Sequence, residues 1–89
     1  MTEMAMSAGS ARLRSEILRI AEHRGTGKTL CPSEAARSIG GENWRALMPE
    51  ARRIAFVLAR EGAVQVTQRG EEVSEGVRGP IRIRWVEPS

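Results

Sequence analysis

The hydrophobic period of this chain switches once, at Gly62, and the switch splits it into a helical part and a strand part. Before Gly62 apolar residues recur at about 3.6-residue spacing; beyond it they alternate with polar ones. Leu13, Ile17, Ile20 and Ala21 form one stripe, which predicts an amphipathic helix over Ala11–Arg24. Ser10 stands where a cap belongs, and Gly25 where a left-handed residue ends a helix. Gly25–Leu30 then reads as a loop.

A second helix is expected from Pro32, whose fixed φ suits a first turn. Cys31 takes the N-cap position, and the Glu34 carboxylate is placed to reach back toward it. Ala35, Ala36 and Ile39 supply a short apolar stripe, and Gly40-Gly41 stops the helix. From Asn43 to Glu61, Trp44, Leu47, Met48, Ala51, Ile54, Ala55 and Leu58 share one stripe at ~100° per residue. Pro49 interrupts it, because an interior proline removes a hydrogen bond and clashes one turn back. Either the helix kinks there, or a short turn at Asn43–Met48 precedes a helix beginning near Pro49; the second reading is preferred. Past Gly62, Val64 and Val66 alternate with Gln65 and Thr67, and Ile81, Ile83 and Trp85 with Arg82 and Arg84. These are two half-buried strands joined by a long Gly- and Glu-rich loop, Gly70–Gly79.

The predicted architecture is α+β, mainly α: a winged helix-turn-helix of three helices followed by a two-stranded β-hairpin wing. It spans residues 11–87 as one domain behind a disordered tail, residues 1–10. Eighty-nine residues leave no room for a second core, and 40% hydrophobic with 28% charged residues fits a globular chain. The single cysteine forms no internal disulfide, which points to a reducing cytoplasm, and no apolar run approaches a membrane span.

Thirteen of the fourteen basic residues are Arg, and all eleven acids are Glu. Arginine suits phosphate forks and base edges. The net charge of +3 permits a nucleic-acid partner. In a winged helix the third helix enters the DNA major groove. Here Arg45, Arg52 and Arg53 would grip that groove, with Arg45 and Arg52 on one side of a continuous helix. Lys28, Arg37, Arg82 and Arg84 would hold phosphates. The loop argues the other way: between Arg69 and Gly79 it sets two Arg against Glu71, Glu72 and Glu75. Two functions therefore stand side by side, double-stranded DNA binding and docking of another protein, with the domain a monomer or weak homodimer.

Cys31 carries the sharpest chemical expectation. Free backbone N–H groups at a helix start favour a thiolate, so a reactive thiol would follow; the plainer reading is that Cys31 stands in for a capping Ser. Gly25-Thr26-Gly27-Lys28-Thr29 resembles the end of a phosphate-binding loop, but Glu22 stands where the first glycine should be and no strand precedes it. His23 is the only histidine, so no zinc ligand set, cofactor motif or catalytic triad is legible. Phe56 is expected to pack beneath the hairpin or against the first helix, and Trp44 and Trp85 to lie in the core.

Three stretches resemble a bacterial family, domain-of-unknown-function family 3253. They are Lys28-Thr29-Leu30-Cys31-Pro32-Ser33-Glu34-Ala35-Ala36-Arg37, Trp44-Arg45-Ala46-Leu47-Met48-Pro49 with Arg52, and Val66-Thr67-Gln68-Arg69-Gly70 with Gly79-Pro80-Ile81-Arg82. The resemblance implies a winged-helix-like fold and no activity.

Overall fold

The computed structural model describes Ala8–Pro88. Most of the expected tail, residues 1–7, lies outside the described residues. Helix α1 (Ala8–Arg24) starts earlier than the sequence suggested. Ser10 is therefore not a cap: it lies inside the helix, buried, and its hydroxyl donates to the Glu50 carboxylate. Leu13, Ile17 and Ala21, four residues apart, are buried along one line of α1. Gly25 ends the helix at φ 75°, its N–H donating to the Ala21 carbonyl at 3.0 Å.

The segment read as a loop contains strand β1 (Thr29–Leu30), which pairs with the last strand. Helix α2 (Pro32–Gly40) follows, with Cys31 at its N-cap. The Cys31 N–H donates to Glu34 Oε2 at 2.9 Å, the reach-back that the spacing predicted. Ala35 and Ala36 are both fully buried, and their small side chains let neighbouring elements approach α2 closely.

A 3-10 helix, Gly41–Leu47, leads into α3 (Met48–Arg60), so Pro49 sits in a first turn and kinks nothing. Helix α3 buries Ala51, Ile54, Ala55, Phe56 and Leu58. Trp44 is a correction: no residue of the 3-10 helix is buried, and Trp44 is half-exposed. A 3-10 turn advances about 120° per residue rather than 100°. Asn43 also departs from helical geometry (φ −95°, ψ 17°), so the α3 stripe does not extend back through it.

After Gly62 come β2 (Val64–Gln68), β3 (Glu71–Glu72) and β4 (Arg82–Trp85). The expected two-stranded hairpin is in fact part of a four-stranded antiparallel sheet, in the order β1-β4-β2-β3. Arg69 and Gly70 join β2 to β3 with φ of 53° and 84°. Two positive φ values suit a tight hairpin whose twist matches its strands. The pleat puts Leu30, Val64, Val66 and Ile83 into the core and Thr29, Gln65, Arg82 and Arg84 on the other face. Ile81 is buried just before β4, and Trp85 packs half-buried at the margin of the core. The fold is α+β and mainly helical.

Candidate binding surface

Most of the basic residues assigned to DNA from the sequence are engaged within the chain. Arg52 Nη1 donates to the Gly79 carbonyl at 2.8 Å, and Nη2 to the Val77 carbonyl. Its Cζ lies 5.9 Å from the centre of the Phe56 ring. Phe56 itself is buried, as expected, and it is not an exposed anchor. Arg53 forks onto Glu50 at 2.8 and 2.7 Å, and Arg60 pairs with Glu75 of the long loop at 2.8 Å.

Arg45 does not share a side of one helix with Arg52, because it lies in the 3-10 helix. Its guanidinium instead sits 4.6 Å from the Trp44 ring centre, and that of Arg37 sits 4.3 Å from the same ring. Each such contact contributes about 0.5–1 kcal/mol at an exposed site. On the outer sheet face Arg82 Nε donates to Thr29 Oγ1 at 2.8 Å, and Arg84 donates to Gln65 Oε1. Lys28 is exposed in the loop before β1. The seven residues thus fall into three groups: Arg52 and Arg53 on α3, Arg37 and Arg45 around Trp44, and Lys28, Arg82 and Arg84 near the outer face of the sheet.

A different feature emerges where the first turns of α2 and α3 meet the chain entering β4. Cys31 and Pro32 form one wall of a cleft of about 540 Å³. Met48 and Pro49 form the second wall, and Gly79, Pro80 and Ile81 the third, with Arg52 the only charged residue lining it among the described residues. Cys31 is half-buried there, the lone cysteine of the chain. A neighbouring depression of about 610 Å³ shares Gly79 and Pro80 but is lined largely by charged side chains, among them Arg69, Glu71, Arg78 and Arg82. Between them the Gln68 amide donates to the carbonyls of Arg78 at 2.6 Å and Pro80 at 3.0 Å, fixing the shared wall. Sequence reasoning missed the apolar cleft. Pro49 was visible as a helix start, but nothing in its spacing from Pro80 brings the two to one cleft.

An ion pair and a hydrogen bond tie α1 to α2. Glu16 of α1 accepts from Arg19 at 2.7 Å and from the Ser38 hydroxyl of α2 at 2.6 Å. Arg24 forks onto Glu34 at 2.9 and 2.5 Å and also donates to the Thr29 carbonyl at 3.1 Å. The Arg19 fork, and then Ser38, hold the Glu16 carboxyl down at about 2; the Arg53 fork, and then Ser10, do the same for Glu50. Both groups are more acidic folded than unfolded. Their contribution is complete above the ordinary value of 4.5 and is lost as pH falls through about 2. Thermal melts followed by circular dichroism should show a midpoint that is level from pH 7 to about 5 and falls steadily below it. Ser38→Ala should shrink that fall; a midpoint indifferent to acid would contradict the assignment.

Among the described residues no helix is long and apolar enough to cross a membrane, and no three His, Cys, Asp or Glu side chains group as a metal ion would need. No curated protein sequence matches the chain significantly. The family described as "Protein of unknown function (DUF3253)" matches residues 10–86, from the first turn of α1 to the residue after β4. The resemblance carried by the Lys28–Arg37, Trp44–Arg52 and Val66–Arg82 segments is thereby borne out, and the chain belongs to this family.

Proposed function

We propose that the chain is a non-catalytic winged-helix module that docks another protein at the cleft between α2, α3 and the entry to β4. The element order supports the winged-helix layout: a short strand between the first two helices pairs with the last strand, and a long loop connects β3 to β4. The lone half-buried thiol suits a reducing compartment such as the cytoplasm.

One observation carries the choice of a protein over DNA. The arginines of α3 are all occupied, Arg52 by loop carbonyls, Arg53 by Glu50 and Arg60 by Glu75. A helix that reads a major groove needs free donors, and carboxylates ranged beside it repel phosphates. The apolar cleft next to that helix has the character of a site for a partner's side chain. Duplex DNA is the second reading. It is favoured by Arg37, Arg45, Arg82 and Arg84, which are in no ion pair among the described residues.

The test is a pair of NMR titrations of the isotopically labelled domain. One ligand is a generic DNA duplex at low salt; the other is a peptide selected on the domain from a random display library. The docking reading expects the peptide to shift Cys31, Met48 and Ile81 at moderate salt. Shifts by the duplex alone, centred on Arg37–Arg45 and fading as salt rises, would hand the function to DNA.

A further inference from the structure

We infer that the cleft takes an acidic peptide segment carrying one bulky apolar anchor; this rests on the docking reading and names the chemistry of its partner. The anchor follows from the walls. Pro32, Pro49 and Pro80 contribute three of the eight lining residues, and none of them has a backbone N–H to offer. Main-chain pairing with a guest is therefore poor at this site, and insertion of a side chain against Met48, Pro49 and Pro80 is the contact the walls permit. Proline walls are also stiff, so little conformational freedom is lost when a guest enters. A small-molecule site would need several convergent polar groups to fix orientation. Here the Arg52 guanidinium and the Cys31 thiol are the only polar side chains among the described residues that line it.

The acidity of the guest follows from the charges around the opening. Among the described residues Arg52 is the only charge in the lining, and its donors go to two neutral carbonyls, so its positive charge is not neutralised. Arg78 and Arg82 bracket the Gly79–Ile81 wall, both exposed, and Arg82 donates to a neutral threonine. Among the described residues no acid lines the cleft. The nearest in sequence, Glu50 beside Pro49, is taken up by Arg53 and Ser10. Glu34, whose carboxylate accepts the Cys31 N–H, is likewise taken up by the Arg24 fork, so the charge left at the opening is that of Arg52 and Arg78. A guest with carboxylates flanking its anchor meets this charge; a basic one is repelled.

The experiment is selection of nine-residue peptides from a random display library on the folded domain. Occupancy of the cleft is read as protection of Cys31 from alkylation by iodoacetamide. Enriched peptides are expected to carry Asp or Glu beside a Leu, Ile, Phe or Met, and to protect Cys31. Their affinity should fall with salt, and Arg78→Gln, which removes an exposed side chain, should weaken them roughly two- to fivefold at low salt. Peptides that protect Cys31 but show no acidic enrichment and no response to salt or to Arg78→Gln overturn the acidic partner while leaving docking intact. Selected peptides that all leave Cys31 unprotected overturn the inference and the docking site together. Met48→Glu, which places a carboxylate in the wall, should abolish protection by acidic peptides; retained protection counts against the cleft.

Discussion

Ile83→Ala is expected to destabilise the domain by about 2–5 kcal/mol, the largest effect of any single truncation proposed for it. Ile83 lies in the strand that the sheet places second, between Leu30 of β1 and Val66 of β2, and all three residues are fully buried. Truncation removes three carbons from a site walled on both sides by paired backbone, which cannot collapse inward, so a cavity remains. A domain of 89 residues has a total stability of about 4–13 kcal/mol on the usual per-residue scale. The loss is therefore a large part of the whole, and the variant should be partly unfolded at physiological temperature. Urea unfolding followed by tryptophan fluorescence measures it, with Trp85 two residues away as reporter. Val86→Ala, at an exposed position, is the control and should move the midpoint by no more than about 0.5 kcal/mol. A loss for Ile83→Ala within that range would show that the sheet does not pack as described.

Arg52→Ala should release the long loop from α3. One guanidinium holds the carbonyls of Val77 and Gly79, and hydrogen bonds from a charged donor contribute about 1.5–3 kcal/mol each when well shielded. Arg52 is half-exposed, so a total loss of about 1–3 kcal/mol is expected rather than the full sum. The loss should be local. Amide exchange should accelerate along the loop between β3 and β4, while the paired amides of β2 and β4 stay protected. Arg52→Lys should not restore the loop, because a single ammonium group lacks the fork that spans two carbonyls. Since Gly79 and Pro80 form one wall of the cleft, both variants should also weaken any guest held there. Unchanged exchange in the loop would mean that Gln68 and the Arg60–Glu75 pair hold it without Arg52.

The sequence makes the elements legible where the signal is local. The α1 stripe, the Cys31–Glu34 reach-back, the position of Pro49 in a first turn and the glycine stops at Gly25 and Gly62 all follow from neighbouring residues. Signals that depend on distant partners are not legible. Thr29–Leu30 has no period of its own and is a strand only because β4, more than fifty residues on, supplies its partner. Glu71–Glu72 is a strand because two left-handed residues, one of them an arginine, turn the chain back on β2. Trp44 was misplaced because its helix type changes at Met48, which an apolar stripe does not record. The candidate site follows the same rule. Arginine positions could be read from the sequence, but their partners could not: Arg52 meets the loop and Arg53 meets Glu50. The cleft joins residues from three separate stretches of chain.

The sheet has a further consequence for the domain in concentrated solution. Both of its outer strands, β1 and β3, are two residues long, and the residues of β3 are both glutamates. An unpaired strand margin is where a second molecule adds its own backbone and begins a growing ribbon. Two residues offer too short a template for that addition, and the carboxylates of Glu71 and Glu72 repel their counterparts on an approaching copy. The domain should therefore resist fibrous self-assembly at these margins.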